Sequence, residues 1–286
     1  MALRERRLFQ IAAVIPLMAV ADAGCSLLVE PQRQQCQVDA DCQKLNPEYR
    51  DAVCMQSVCQ PNPAWSCLGD VSWPMPVPRK SSVVFRMRDL VTDAPVSGVT
   101  GRVCHKLDFD CLRPIASGLI SDGAGTLVFE LEAGFDGFVE FGPPGRMPGV
   151  YFFYPPIDGD REYPSLPVLA APELAFFAQQ GGHPVAPERG HVLLGSYDCL
   201  TMPADGVLLS SEDADNATAP FYLVKKVPSF TAPGTDSSGR GGLINLRPGS
   251  VSVTGERALD GKHIATIGVF VRPGTITYTT MLPAPK

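Results

Sequence analysis

Polar and apolar side chains alternate along Ser82-Val83-Val84-Phe85-Arg86-Met87-Arg88, with Phe85 and Met87 on one face and Arg86 and Arg88 on the other. A period of two predicts a half-buried strand. Thr92-Asp93-Ala94-Pro95-Val96 is a turn signal, and Gly101-Arg102-Val103-Cys104 follows it as the next strand. A second turn, Ser121-Asp122-Gly123-Ala124-Gly125, leads into Thr126 to Leu131, and Phe138-Val139-Glu140-Phe141 makes a further strand. Strands separated by such turns predict an antiparallel sandwich over residues 75–155. From Gly190 the pattern restarts, with apolar runs at 190–195, 207–210, 221–224, 241–246, 250–254, 264–271 and 275–278. That predicts a second sandwich over 189–286. The connector between them, 156–188, holds one helix pattern, Ala171 to Gly181, with Pro172 and Glu173 in its first turn and Gly181-Gly182 as its stop. The expected fold class is mainly β: two antiparallel sandwiches behind a leader and a small neck.

The leader has a different pattern. Arg4, Arg6 and Arg7 precede an apolar stretch from Leu8 to Val20, and small residues then lead to Cys25. Charge, a short apolar core and small residues are the layout of an export signal, predicted here over residues 1–24. The run is shorter than the ~20 apolar residues of a membrane span. Its last residues, Ala23-Gly24-Cys25, resemble the lipobox of bacterial lipoproteins, with Asp22 where that family carries an aliphatic residue. The resemblance implies a lipid on Cys25 and cleavage before it. Ser26, rather than an acid, follows the cysteine, and by the same resemblance the destination is the outer membrane.

Cysteine parity agrees with that reading. The chain has nine cysteines, so lipidation of Cys25 leaves an even eight. Five of them, Cys36, Cys42, Cys54, Cys59 and Cys67, crowd a segment with few aliphatic residues, where cross-links must replace hydrophobic burial. Residues 25–74 are therefore a neck and linker, for which the pairs Cys36–Cys54 and Cys42–Cys59 are expected. Zinc is the competing idea, because Cys54 and Cys59 have a finger-like separation; the absence of a nearby His and the export signal weigh against it. Cys104 and Cys111 flank a short insert, whose natural reading is a local disulfide. A bond between Cys199 and Cys67 would leave no free thiol.

The neck, with its Cys-x-Val-Asp-Ala-Asp-Cys opening and Trp65-Ser66-Cys67-Leu68-Gly69, resembles the Cys-rich leaders of exported bacterial lipoproteins. Asp89, Pro95, Val96, Gly98, Asp122 and Gly125 fall where the carboxypeptidase-regulatory-like, or transthyretin-like, sandwich carries its turn residues. That family is also classed with carbohydrate-binding-like folds. The Thr-Asp-x-x-Gly turn recurs at Thr235-Asp236-Ser237-Ser238-Gly239, so a second copy of the same sandwich is expected.

Composition narrows the partners. Gly (27) and Pro (28) suit many short strands and tight turns. Without residues 1–24 the chain has 21 basic and 28 acidic residues, a net charge of −7, and no basic run survives. Nucleic acid is excluded as an electrostatic partner. No Gly-x-Ser-x-Gly elbow, His-Glu-x-x-His motif or phosphate-binding glycine loop is present, so no catalytic residue is assigned. No cofactor or metal is expected either: His105, Asp108 and Asp110 read as loop residues, and Asp213-Ala214-Asp215-Asn216 as an acidic hairpin tip. Asp39-Ala40-Asp41 lacks the further ligands of a calcium loop. Tyr151-Phe152-Phe153-Tyr154 could stack on a sugar, though burial is the commoner fate of such a run. The expectation is a membrane-anchored surface module that binds a carbohydrate or an envelope protein without catalysis, with a structural spacer or complex subunit as the alternative.

Overall fold

Runs that alternate become strands with one wet face, and uninterrupted apolar runs become strands covered on both faces. The computed structural model describes residues 34–45, 49–73, 75–163 and 165–285, and the chain is mainly β. The leader and Cys25 lie outside the described residues. The neck holds helix α1 (Asp39–Gln43) and the hairpin β1 (Val53–Met55) and β2 (Val58–Gln60). The first half then runs through β3 (Lys80–Asp89), β4 (Thr100–His105), β5 (Ala116–Ile120), β6 (Thr126–Glu132), β7 (Gly137–Gly142) and β8 (Gly149–Phe152). Two short strands, β9 (Arg161–Glu162) and β10 (Leu166–Val168), precede helix α2 (Ala171–Gln180). The second half comprises β11 (Gly190–Ser196), β12 (Val207–Ser210), β13 (Ala219–Val224) and β14 (Val227–Ser229). It closes with β15 (Arg240–Leu246), β16 (Gly249–Arg257), β17 (His263–Val271) and β18 (Ile276–Met281).

Each half is a sandwich, and the two follow one plan. In the first, β6, β3 and β10 form one sheet and β5, β4, β7 and β8 the other. In the second, β15, β11 and β18 correspond to β6, β3 and β10, while β12, β16 and β17 correspond to β4, β7 and β8. Backbone contacts repeat residue for residue. Met87 N–H donates to the Gly125 carbonyl at 2.8 Å, and Ser196 N–H to that of Gly239 at 2.7 Å. Val99 N–H donates to Ser121 Oγ, which donates to the Val96 carbonyl; Val207 N–H donates to Thr235 Oγ1, which donates to the Ala204 carbonyl. Asp89 and Asp198, each two residues past the strand's donor, accept from the backbone of the turn that follows. Gly125 and Gly239 sit at φ +75° and +66°, a region that glycine enters without penalty. The Ser/Thr-Asp-x-x-Gly repeat, at 121–125 and 235–239, is therefore one structural device used twice.

The two sandwiches expected at 75–155 and 189–286 also share a sheet. β18 pairs in parallel with both β11 and β8, giving the continuous order β14-β13-β15-β11-β18-β8-β7-β4-β5. This nine-stranded sheet is a middle layer. Val103, Tyr151, Leu193 and Ile244 face a core built with β3, β6 and α2. Cys104, Val150, Leu194 and Leu243 face a second core built with β12, β16 and β17. Coverage on both sides buries every residue of β8 and all of β18 but the half-buried Thr280, while β3 and β16 alternate. The connector is less separate than its sequence implies, because β9 and β10 pair in parallel with β3. Its helix forms where expected. Ala170 N–H donates to Glu173 at 2.7 Å, Leu174 and Ala178 turn inward, and Gly182 follows at φ +80°.

Candidate functional site

Four disulfides join Cys36 to Cys54, Cys42 to Cys59, Cys67 to Cys199, and Cys104 to Cys111. These are the pairs expected from the sequence. The first two close the neck around a small core of sulfur and Ala52. The sulfurs of Cys36, Cys42 and Cys59 lie within 4.8 Å of one another, but each is spent in a disulfide and offers no thiolate to a metal. Asp41 accepts from Gln37 N–H at 2.8 Å and Val38 N–H at 3.1 Å, and those bonds hold its carboxyl below the usual range. Asp39 accepts from Cys54 N–H at 2.8 Å. Both acids therefore serve the folding of the neck.

The third disulfide fastens the neck to the second sandwich, and it has company. Cys199 N–H donates to the Ala64 carbonyl at 2.9 Å, and Trp65 and Leu68 pack on the core under β16 and β17. Arg257, at the end of β16, reaches Asp51 of the neck at 2.7 Å, and its side chain is 4% exposed. Its guanidinium also lies 5.5 Å from the Trp65 ring centroid, a cation–π distance. Asp260 offers the same guanidinium a second carboxylate at 3.5 Å. The sequence reading missed Arg257, which lies beyond the 250–254 run but continues its parity. Val251, Val253, Gly255 and Arg257 share one parity on β16, and that face is buried.

The fourth disulfide shapes the insert at 104–111 into a loop that bridges the sandwiches. Phe109 stacks on Phe270 of β17, centroids 4.7 Å apart. Arg272 donates to the Phe109 carbonyl and meets Glu140 of β7 at 2.5 Å, while Arg102 of β4 holds the other oxygen of that carboxylate. Beside this triad lies a groove of about 320 Å³ lined by β4, β7 and β8, with Thr100 and Ser117 on its wall. Its one aromatic member, Phe141, is turned into the core.

The other sequence candidates find structural places. Tyr151, Phe152 and Phe153 are all buried, and Tyr154 meets Trp73 edge-on, so the run presents no stacking platform. Asp108 accepts from Leu112 and Arg113 N–H groups, which pull its carboxyl below the usual range. His105 and Asp110 are exposed beside it. Asp213 accepts from Ser252 N–H. Asp215 accepts from Ala217 N–H and pairs with Arg189 and Arg247, which together push its pKa down to about 2. A carboxylate so occupied has no oxygen free for calcium. His183 lies against the Phe230 ring, and His263 meets Thr266 at 2.9 Å. His191 is the buried one. Burial pushes its pKa down to about 4. Its Nδ1 accepts from Asn245 N–H at 3.3 Å, which leaves the proton on Nε2, and that atom has no partner beneath α2.

No protein-family model matches the chain, and no curated protein matches it. Among solved structures it is similar to the Bacillus anthracis TIE protein at 12% identity and TM-score 0.26, over 72% of this chain. It spans about a third (34%) of that protein's length. It is similar to BcpA, the major pilin subunit of Bacillus cereus, at 7% identity and TM-score 0.25, over 69% of each chain. It is also similar to the shaft pilin SpaA from Lactobacillus rhamnosus GG, at 12% identity and TM-score 0.26, over 73% of this chain and 99% of that one.

Proposed function

We propose that this chain is an exported, non-catalytic structural subunit of a cell envelope, tethered through a lipid on Cys25 and holding its body at a set orientation to the membrane. One observation carries the reading: the segment that follows the anchor is locked onto the second sandwich by Cys67–Cys199 and by the buried Arg257–Asp51 pair. A module that only needs to be near a surface is served by a loose linker. A clamped neck transmits position and force. Four disulfides suit an oxidising compartment outside the cytoplasm. No helix among the described residues is long and apolar enough to cross a membrane.

Two experiments test this. Labelled palmitate should enter the protein and be absent from Cys25→Ser, with the wild type in the outer-membrane fraction. Cross-linking in intact cells, followed by purification, should recover a stoichiometric envelope partner. A protein that stays unlabelled, soluble and alone overturns the reading.

A carbohydrate partner is the second reading, and it would use the groove at Thr100, Ser117, Arg102 and Glu140, where hydroxyl and charged groups offer hydrogen bonds. A glycan array separates the two. Saturable binding lost in Arg102→Ala would favour carbohydrate.

A further inference from the structure

We infer that the seam between the two sandwiches is a binding site for a phosphate group. A cleft of about 250 Å³ opens there, lined by Arg88, Asp89 and Asp93 from the first sandwich and by Lys226, Ser238 and Arg240 from the second. Such junctions are where ligand sites are preferentially built.

Charge accounting sets the ligand. The Asp89 carboxylate is fully occupied: Oδ1 accepts from Thr92 N–H at 2.8 Å and Thr92 O–H at 2.9 Å, and Oδ2 accepts from Arg146 at 2.6 and 3.0 Å. Asp93 is matched by Lys226 at 3.1 Å. Among the described residues, that leaves the guanidiniums of Arg88 and Arg240 without a carboxylate. Arg88 donates to the Asp93 carbonyl at 2.6 Å, and Arg240 donates to the Ser165 carbonyl at 3.1 Å. Both acceptor residues line the cleft, so the two cationic heads are held at its wall by neutral oxygens. Each guanidinium carries five donors, and among the described residues one finds an acceptor. The chain as a whole is acidic, with a net charge of −6, so two unmatched arginines converging on one cleft run against its overall field.

The hairpin that delivers Lys226 points the same way. Lys225 and Lys226 occupy the two central positions between β13 and β14 at φ +51° and +70°. Turns of this geometry favour Asn and Gly. Lysines here place an ammonium at the cleft mouth, beside Asp93 of the opposite sandwich. A tetrahedral oxyanion of charge near two suits paired guanidiniums, which bind phosphate in a bidentate fork. Ser238 lines the same wall, with its hydroxyl donating to Asp236 at 2.6 Å. The phosphate could be free or carried on a lipid headgroup, and both present the same oxygens.

The test uses the purified chain with its disulfides intact and does not depend on lipidation or on an envelope partner, so its failure leaves the structural reading standing. Pyrophosphate and inorganic phosphate are titrated by calorimetry, and vesicles of phosphatidylglycerol or phosphatidylcholine are tested by flotation. Saturable binding of one anion per chain, weakened at least tenfold in Arg88→Gln and in Arg240→Gln and only partly restored in Arg240→Lys, which keeps the charge and loses the fork, supports the site. Flotation with phosphatidylglycerol alone, lost in the same variants, supports it with the headgroup as source. Arg102→Gln, in the distant groove, should leave either result unchanged. Absence of binding to any probe, or binding indifferent to Arg88 and Arg240, overturns the proposal; an unchanged thermal unfolding midpoint confirms that the variants are folded.

Discussion

Arg257 of β16 and Asp51 of the neck meet at 2.7 Å, with the arginine side chain 4% exposed, so a charge inside the second sandwich takes its shortest ion pair from a residue outside it. A buried ion pair contributes little against a well-packed apolar substitute, but removing one partner leaves a costly charge behind. Arg257→Ala leaves Asp51, 29% exposed, without its partner and should lower the stability by about 3 kcal/mol, the low end for a broken buried pair. Asp51→Asn should cost less, because Asp260 at 3.5 Å still faces the guanidinium. Denaturant unfolding of both variants, with the double mutant to close the cycle, checks the order.

The disulfide that fastens the neck and the one that closes the 104–111 loop should differ sharply in weight. Cys67 and Cys199 are 132 residues apart, and Cys104 and Cys111 are 7 apart. In the chain-entropy account, closing the longer loop contributes about 5 kcal/mol and the shorter about 2–3. Replacing Cys67 and Cys199 together by Ser should expose the neck to protease while the double sandwich persists. Replacing Cys104 and Cys111 should loosen the Phe109 loop alone. Equal losses of stability would contradict this.

His191 should give the protein an acid-sensitive limb. Its folded pKa, about 4, lies below the unfolded 6.5, so the unfolded chain takes up the proton first as pH falls. Stability is then lost from about pH 6.5 down to about pH 4, by roughly 3 kcal/mol in total. His191→Leu removes that slope and the unpartnered Nε2–H, at the cost of the bond to Asn245. Asp215 works in a lower window: its contribution is present above pH 4 and fades as pH falls through about 2. Unfolding midpoints measured from pH 7 to pH 4 should fall for the wild type and stay flatter for His191→Leu.

The repeated turn predicts matched mutants. Ser121→Ala and Thr235→Val each strip a buried acceptor from a backbone N–H at the start of a strand, that of Val99 just before β4 and that of Val207 in β12. Each should lose about 1–3 kcal/mol. The two losses should agree closely, because the sites are equivalent by hydrogen bonding although one carries Ser and the other Thr. A neutral effect at one of them would break the equivalence.

Much of this was written locally. Alternation over residues 82–88 marked β3, and Asp122-x-x-Gly125 and Asp236-x-x-Gly239 marked turns, because a single residue's φ and an Asp side chain's reach decide such features over four residues. Cysteine parity and crowding showed that the neck is cross-linked. The candidate site was only partly legible. Arg257 was readable from its parity on β16, whereas Arg88 and Arg240 look like ordinary outward-facing residues at strand ends until the two sandwiches meet.

From the sequence alone came two sandwiches of one kind, their turns, their helix and a stapled neck. Tertiary structure alone decided that β18 lies between β8 and β11, joining both halves in one sheet, and that Asp51 answers Arg257. The reason is physical. A turn is specified by the residues that make it, but every strand offers the same backbone donors and acceptors. Which strand it pairs with is therefore settled only when all the apolar faces have found cover.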